Sequence, residues 1–210
     1  PRPMKKILLA GELAALFVGL PLLLYRDLLP GPKLLYFFAG CAYCLVVLLR
    51  DPSFDRAPLA LHRAPGWRSA LRRVAVALPA LLLLAWYVEP DKLFFLVRER
   101  TGLWVVIMFA YPLWSAYPQE LAYRVFFFHR YGPLLGSRAV LVGSSAALFA
   151  FGHIIFASWL ALLLTLLGGL LFCRTWLKTG SLNTVSIEHA LLGNIIFTVG
   201  LGQHFFALSK

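Results

Sequence analysis

Long apolar runs decide what this chain can fold into. They lie near 6–25, 33–49, 74–88, 102–117, 139–157, 159–174 and 184–203. A helix that crosses a bilayer needs about 20 mainly apolar residues. The shorter runs are expected to extend at their ends. The stretch 118–131 either prolongs the fourth run as one long helix or forms a short helix of its own. The expectation is therefore all-α: a polytopic membrane protein with seven or eight transmembrane helices. A membrane β-barrel would need strands of alternating polarity, and "LALLLTLLGGLLF" does not alternate. Composition agrees. Hydrophobic residues make up 60% of the chain and charged residues 14%, where soluble domains have roughly 45–50% and about 25%. Residues 1–210 are read as a single integral membrane domain, with scaffold helices in front and the functional half over 100–203. The first run is as long as a true span and lacks a small-residue cleavage pattern, so it is read as a membrane helix rather than a leader.

The net charge of +11 is explained by position rather than by nucleic acid. Arg50, Arg56, Arg63, Arg68, Arg72 and Arg73 crowd the segment between the second and third runs, and Arg2, Lys5 and Lys6 precede the first. Positive flanks of this kind face the cytoplasm, which places the N-terminus there. Anionic lipid headgroups are the expected partner for these basic loops, and no nucleic acid is expected. Loops after the first and third runs are mixed in sign and suit the far side. Cys41, Cys44 and Cys173 lie in or beside apolar runs and read as small core residues. Richness in Leu, Ala and Arg with short loops points to a bacterial cytoplasmic (inner) membrane.

Polar groups recur inside the apolar runs of the second half: Gln119, Glu120, Arg124, His153, Glu188, His189 and Asn194. An ionised side chain at the bilayer centre costs roughly 2.5–3.5 kcal/mol on insertion scales, so these groups should face one another rather than lipid. Glu120 and Arg124 are four apart with the acid first, the favourable order for a helical pair. A mutually satisfied ion pair would account for those two alone. It would not account for histidines on two further runs, and a convergent pocket would. Glu188 adjoins His189 and so points about 100° away around a helix; it is expected on a different face, at the interface or paired elsewhere. The Phe126–Phe128 run is expected to face lipid and neighbouring helices, with His129 and Arg130 marking the water interface. A Ser144 or Ser145 dyad with His153 is the weaker reading, because serines on small helix faces are usually packing residues. No HExxH or GxSxG motif is present.

Three short stretches resemble the CAAX-protease and bacteriocin-processing family of glutamate-type intramembrane proteases, which includes the Ras-converting endoprotease. "QELAYR", Gln119 to Arg124, resembles its Glu-Glu-x-x-x-Arg motif. "FAFGH", Phe149 to His153, matches Phe-x-x-x-His, and "HALLGN" resembles the third motif, a His followed one turn later by Asn. The similarity covers roughly residues 100–203. This chain departs from the pattern twice: Gln119 stands where the first Glu would be, and Gly193 stands one turn after His189, with Asn194 a residue further on.

The resemblance implies an endopeptidase that cleaves a membrane-associated peptide or protein near the cytoplasmic leaflet. Glu120, with His153, would polarise a water. Arg124 would orient the carboxylate, and His189 and Asn194 would donate to the oxyanion. Gln119 and Phe149 would orient water or substrate. No cofactor and no metal are expected: two histidines and a carboxylate could hold zinc, but the Arg124 cation would oppose it. Two other functions fit the same residues. One is a catalytically silent relative that binds or scaffolds in the membrane, favoured by Gln119. The other is a small proton-coupled transporter, since intramembrane Glu, Arg and His also mark proton pathways.

Overall fold

The computed structural model describes residues 3–206. Arg2 of the basic N-terminal flank lies outside them. Among the described residues there is no strand. The helices are α1 (residues 3–25), α2 (Lys33–Arg50), α3 (Trp67–Val88), α4 (Phe95–Glu99), α5 (residues 101–135), α6 (Arg138–Gly152), α7 (Trp159–Thr179) and α8 (Leu182–Val199). Six helical segments are long and apolar enough to cross a membrane: Met4–Tyr25, Lys33–Arg50, Trp67–Val88, Arg138–Phe156, Trp159–Thr179 and Leu182–Val199. With the further apolar helix α5, the protein is all-α and polytopic. Of the two alternatives for 118–131, the single long helix is found.

α5 is not uniform. Its α-helical ladder widens into π-helical turns at Pro112–Ala116 and Leu121–Phe126, with one ordinary turn, Tyr117–Glu120, between them. Proline explains the first of these. Pro118 has no N–H to give back to the preceding turn, and its ring crowds the carbonyl four residues earlier. The ladder re-registers, and the amide of Tyr117 bonds instead to the carbonyl of Pro112, five residues back.

The described residues divide into two compact units. The first holds residues 3–56 and 121–174; the second holds Ala57–Glu120 and Thr175–Phe206. Neither coincides with the front or the back half of the chain.

In the first unit, Phe17 of α1 packs against Tyr123, Phe127 and Tyr131 of α5, with ring centroids 5.0, 5.4 and 6.0 Å apart. Phe126 and Phe127 are therefore fully buried: of the lipid and neighbouring helices expected for this run, these two rings meet the helices. The π-helical turn through Phe126 aims these rings at α1 and α2, where Tyr43 also meets Phe126. Glu12 is held by Arg130, whose Nε donates to Oε1 at 3.0 Å and whose Nη2 donates to Oε2 at 2.8 Å. The hydroxyls of Tyr131 and Tyr43 donate to the same carboxylate at 3.0 and 3.2 Å. His129 binds Asp51 at 3.0 Å. Hydrogen bonds from Ser53, and then this histidine, hold the Asp51 carboxyl well below the usual carboxylate range. Arg130 and His129 thus join helices rather than simply marking a water boundary.

The second unit is organised around α8, which is buried on nearly every side. Its start grips the basic loop. The Asn183 amide donates to the carbonyls of Ala60, Leu61 and Arg63 at 2.8–3.0 Å. Ser181 donates to Arg63 at 3.0 Å and Thr184 to Pro65 at 2.8 Å. Its end is fixed by Gly200 at φ 110°, a left-handed position that favours glycine after a helix.

Removing Arg130 should leave the Glu12 carboxylate with its tyrosines alone. Arg130→Ala is expected to lower stability by about 3 kcal/mol and Glu12→Gln by less, because the amide oxygen still accepts from one tyrosine and the other hydroxyl can turn to accept from the amide N–H. Unfolding in mild detergent, followed by circular dichroism, measures both.

Candidate active site

The candidate residues fall in both units. In the second unit, Glu120 is fully buried and His189 is 5% exposed. Glu120 ends the ordinary turn between the two π-helical turns of α5, a place where widened turns often mark functional positions. Its Oε1 lies 2.7 Å from Nδ1 of His189 on α8. A carboxylate accepts from Nδ1–H, and in the tautomer that carries this proton the lone pair of the imidazole is on Nε2. Nε2 in turn lies 2.9 Å from the hydroxyl of Tyr111. Glu120 was paired with His153 in the sequence reading; within its own unit it is held by His189.

Gln119 donates from Nε2 to Ser115 Oγ at 2.9 Å. Its Oε1 is buried with no hydrogen-bond partner among the described residues. Asn194 donates from Nδ2 to the carbonyl of Met108 at 3.1 Å, so this amide, expected as an oxyanion donor, has an N–H committed to tying α8 to α5. The extra residue in the spacing explains this. An offset of five rotates a side chain about 100° past the position one turn on, and here that rotation turns it onto the Met108 backbone.

In the first unit, Arg124 is fully buried. Its guanidinium stacks over Phe149 at 4.6 Å and Phe172 at 5.5 Å, and Nη2 reaches the carbonyl of Gly169 at 3.3 Å. Phe149 is a packing partner here, meeting Tyr123, Phe172 and His153 as well. His153 begins the tighter turn His153–Phe156 that ends α6. Its Nδ1 lies 2.7 Å from the carbonyl of Phe149, which fixes the proton on Nδ1, as in His189. Ser145 gives its hydroxyl to the carbonyl of Tyr123 at 2.8 Å, an engagement that suits a packing serine rather than a nucleophile. Among the described residues no three His, Cys, Asp or Glu side chains gather as a metal site.

The family model described as type II CAAX prenyl endopeptidase, Rce1-like, matches residues 101–195. This match supports membership of the CAAX-protease family. The matched span runs from the start of α5 to the residue after Asn194 and includes all three motifs. No curated protein and no solved structure matches the chain. A family of this description suggests an intramembrane protease that acts on a membrane-associated protein or peptide.

Sequence reasoning missed two features beside these motifs. Tyr111 gave no signal, being one aromatic among many in an apolar run. Arg73 was counted with the lipid-facing arginines, and this is corrected. It lies inside α3, donates from Nε to Glu188 Oε1 at 2.5 Å, and reaches Ser69 and Thr175 at 2.8 Å. Thr175 donates to the other oxygen of Glu188. Glu188 and His189 are neighbours on α8 that face different helices, as their 100° separation requires.

Glu188 should therefore matter for folding and not for chemistry. Glu188→Ala takes the carboxylate from a part-buried Arg73 and leaves it its bonds to Ser69 and Thr175, and is expected to cost about 3 kcal/mol. Glu188→Gln should cost less and keep turnover per folded molecule. Unfolding midpoints, together with rates normalised to folded protein, test this.

Proposed function

We propose that this family member is an intramembrane endopeptidase in which Glu120 and His189 together activate the attacking water. The buried 2.7 Å contact between Glu120 and His189 Nδ1 carries this reading. A carboxylate on Nδ1 holds the imidazole in the tautomer whose Nε2 can take a proton, and it stabilises the imidazolium that forms. Water would attack the scissile carbonyl as its proton passes to the Glu120–His189 pair. The same proton would then go to the departing amine.

Gln119 cannot serve as a base. Its buried Oε1 suits it to accept from a water or from a substrate N–H, since an acceptor left unmet in an apolar setting is costly. Arg124 and His153 enter through the family resemblance. The Nδ1-protonated imidazole of His153 is the form that can bind a water proton at Nε2. The substrate is read as a membrane-associated peptide, cleaved near the cytoplasmic leaflet, with the N-terminus and the 50–73 segment on that side. Arg56, Arg68 and Arg72 remain as the headgroup-facing cations.

Gln119 supports a second reading, a relative that binds such peptides without cutting them. One experiment separates the two. Purified protein in proteoliposomes is offered membrane-anchored peptides, including one with a prenylated C-terminal cysteine, and cleavage is followed by mass spectrometry. Wild type is expected to cut. Glu120→Gln, nearly isosteric, should stay folded and lose about 10²–10⁴-fold in kcat, and Gln119→Glu should match or exceed wild type. Peptide retained and never cut by wild type would establish the binding reading. Equal cleavage by Glu120→Gln would remove Glu120 from the chemistry.

A further inference from the structure

We infer that Tyr111 is a positioning residue for His189, and that residue 193 is glycine in order to admit it. The inference rests on the proposed role of the Glu120–His189 pair for its effect on catalysis. Its geometric content stands separately.

The imidazole has two nitrogens to place. Glu120 takes the Nδ1 proton, which leaves Nε2 as an acceptor. The Tyr111 hydroxyl, 2.9 Å away, is the donor it meets. The phenol comes from α5, the same helix that supplies Glu120, nine residues earlier. One helix therefore holds both ends of the ring, through a carboxylate at Nδ1 and a hydroxyl at Nε2.

The ring that carries this hydroxyl is wedged. It lies edge-on to His189 with centroids 5.9 Å apart and edge-on to Phe197 at 5.4 Å. Both partners are on α8, and Gly193 sits between them in sequence. A Cβ added at Gly193 would fall 2.2 Å from Cε1, 2.4 Å from Cζ and 2.4 Å from the hydroxyl oxygen of Tyr111. Those distances are far inside van der Waals contact. The phenol thus fills the volume that any side chain one turn after His189 would occupy. It also brings a polar atom to the place where such a side chain could bear on the imidazole. The glycine and the tyrosine are two halves of one arrangement: an empty position on α8, and a hydroxyl delivered into it from α5.

Two consequences follow for the chemistry. The bond at Nε2 fixes the imidazole plane before substrate arrives. It also keeps the nitrogen that is to accept the proton directed at a hydroxyl rather than at hydrocarbon until the attacking water takes the place of that hydroxyl at Nε2. Losing the hydroxyl alone should leave packing intact and degrade only this alignment.

The test uses the full-length protein in lipid nanodiscs with ¹⁵N-labelled histidine, the His189 signals being assigned by comparison with His189→Gln. Tyr111→Phe keeps the ring and removes only the O–H. It is expected to move the Nε2 resonance toward that of an unbonded imidazole nitrogen and to lower kcat about tenfold with KM unchanged. Gly193→Ala should strike the ring and reproduce the loss, whereas in a Tyr111→Ala background the same alanine should add nothing. An Nε2 resonance unmoved by Tyr111→Phe overturns the inference, as does a Gly193→Ala cost that is the same with and without Tyr111. If wild type cleaves no peptide, the proteolytic reading falls, and the resonance still decides whether Tyr111 holds His189.

Discussion

A carboxylate inside an apolar helix cannot be left to itself, because its hydration is lost and nothing in hydrocarbon replaces it. The three glutamates at Glu12, Glu120 and Glu188 meet this constraint, and much of the structure is arranged around how they do so. Glu12 is forked by Arg130 and capped by two tyrosines. Glu188 is held by Arg73 and Thr175. Both pair with a guanidinium, which keeps its proton under all ordinary conditions and hydrogen-bonds in a fixed fork. Such contacts join helices and go no further. Glu120 differs in having an imidazole on one of its oxygens. An imidazole gains and loses a proton near neutrality.

The backbone serves this distinction. Two π-helical turns bracket the single ordinary turn that carries Gln119 and Glu120. Each widened turn re-aims the side chains on either side of it. A regular helix over 101–135 would repeat every 3.6 residues and would fix Tyr111, Glu120 and the Phe126–Phe127 pair to one another by that period alone. The interruptions free them. Tyr111 and Glu120 turn to α8, while Phe126 and Phe127 turn to α1 and α2. Pro112 and Pro118, which look like simple helix breakers in sequence, are better seen as the means of this re-registration.

This explains what was legible in the sequence and what was not. Helices were legible because apolar length is a local property: six of the seven runs became candidate spans, and the seventh, 102–117, became the first half of α5. The family was legible from three motifs because each is local to one helix. The partners were not. Arg73 and Glu188 are 115 residues apart, and nothing in the 50–73 charge run marks Arg73 as the one that turns inward. Its position within α3, facing α8, makes that decision. The Phe126–Phe128 run was open to both lipid and neighbouring helices because three consecutive residues spread around a regular helix, and the widened turn brings Phe126 and Phe127 to the helices. Asn194 had the right identity for a site residue, but an offset of five committed it to the Met108 carbonyl.

Gln119 and Gly193, the two departures from the family motifs, have different physical weight. Replacing a glutamate by glutamine at 119 removes a proton acceptor and keeps the shape, so the site around it need not change. The next residue, Glu120, keeps its contact with His189. Replacing a polar side chain by glycine at 193 removes volume as well as polarity, and an apolar interior does not leave volume empty without losing its contacts. Tyr111 restores both. It fills the space with a ring and returns a hydroxyl to the imidazole. A change at one motif position is thus answered from a different helix, 82 residues earlier in the chain, and a comparison of motifs alone would record the loss without its compensation.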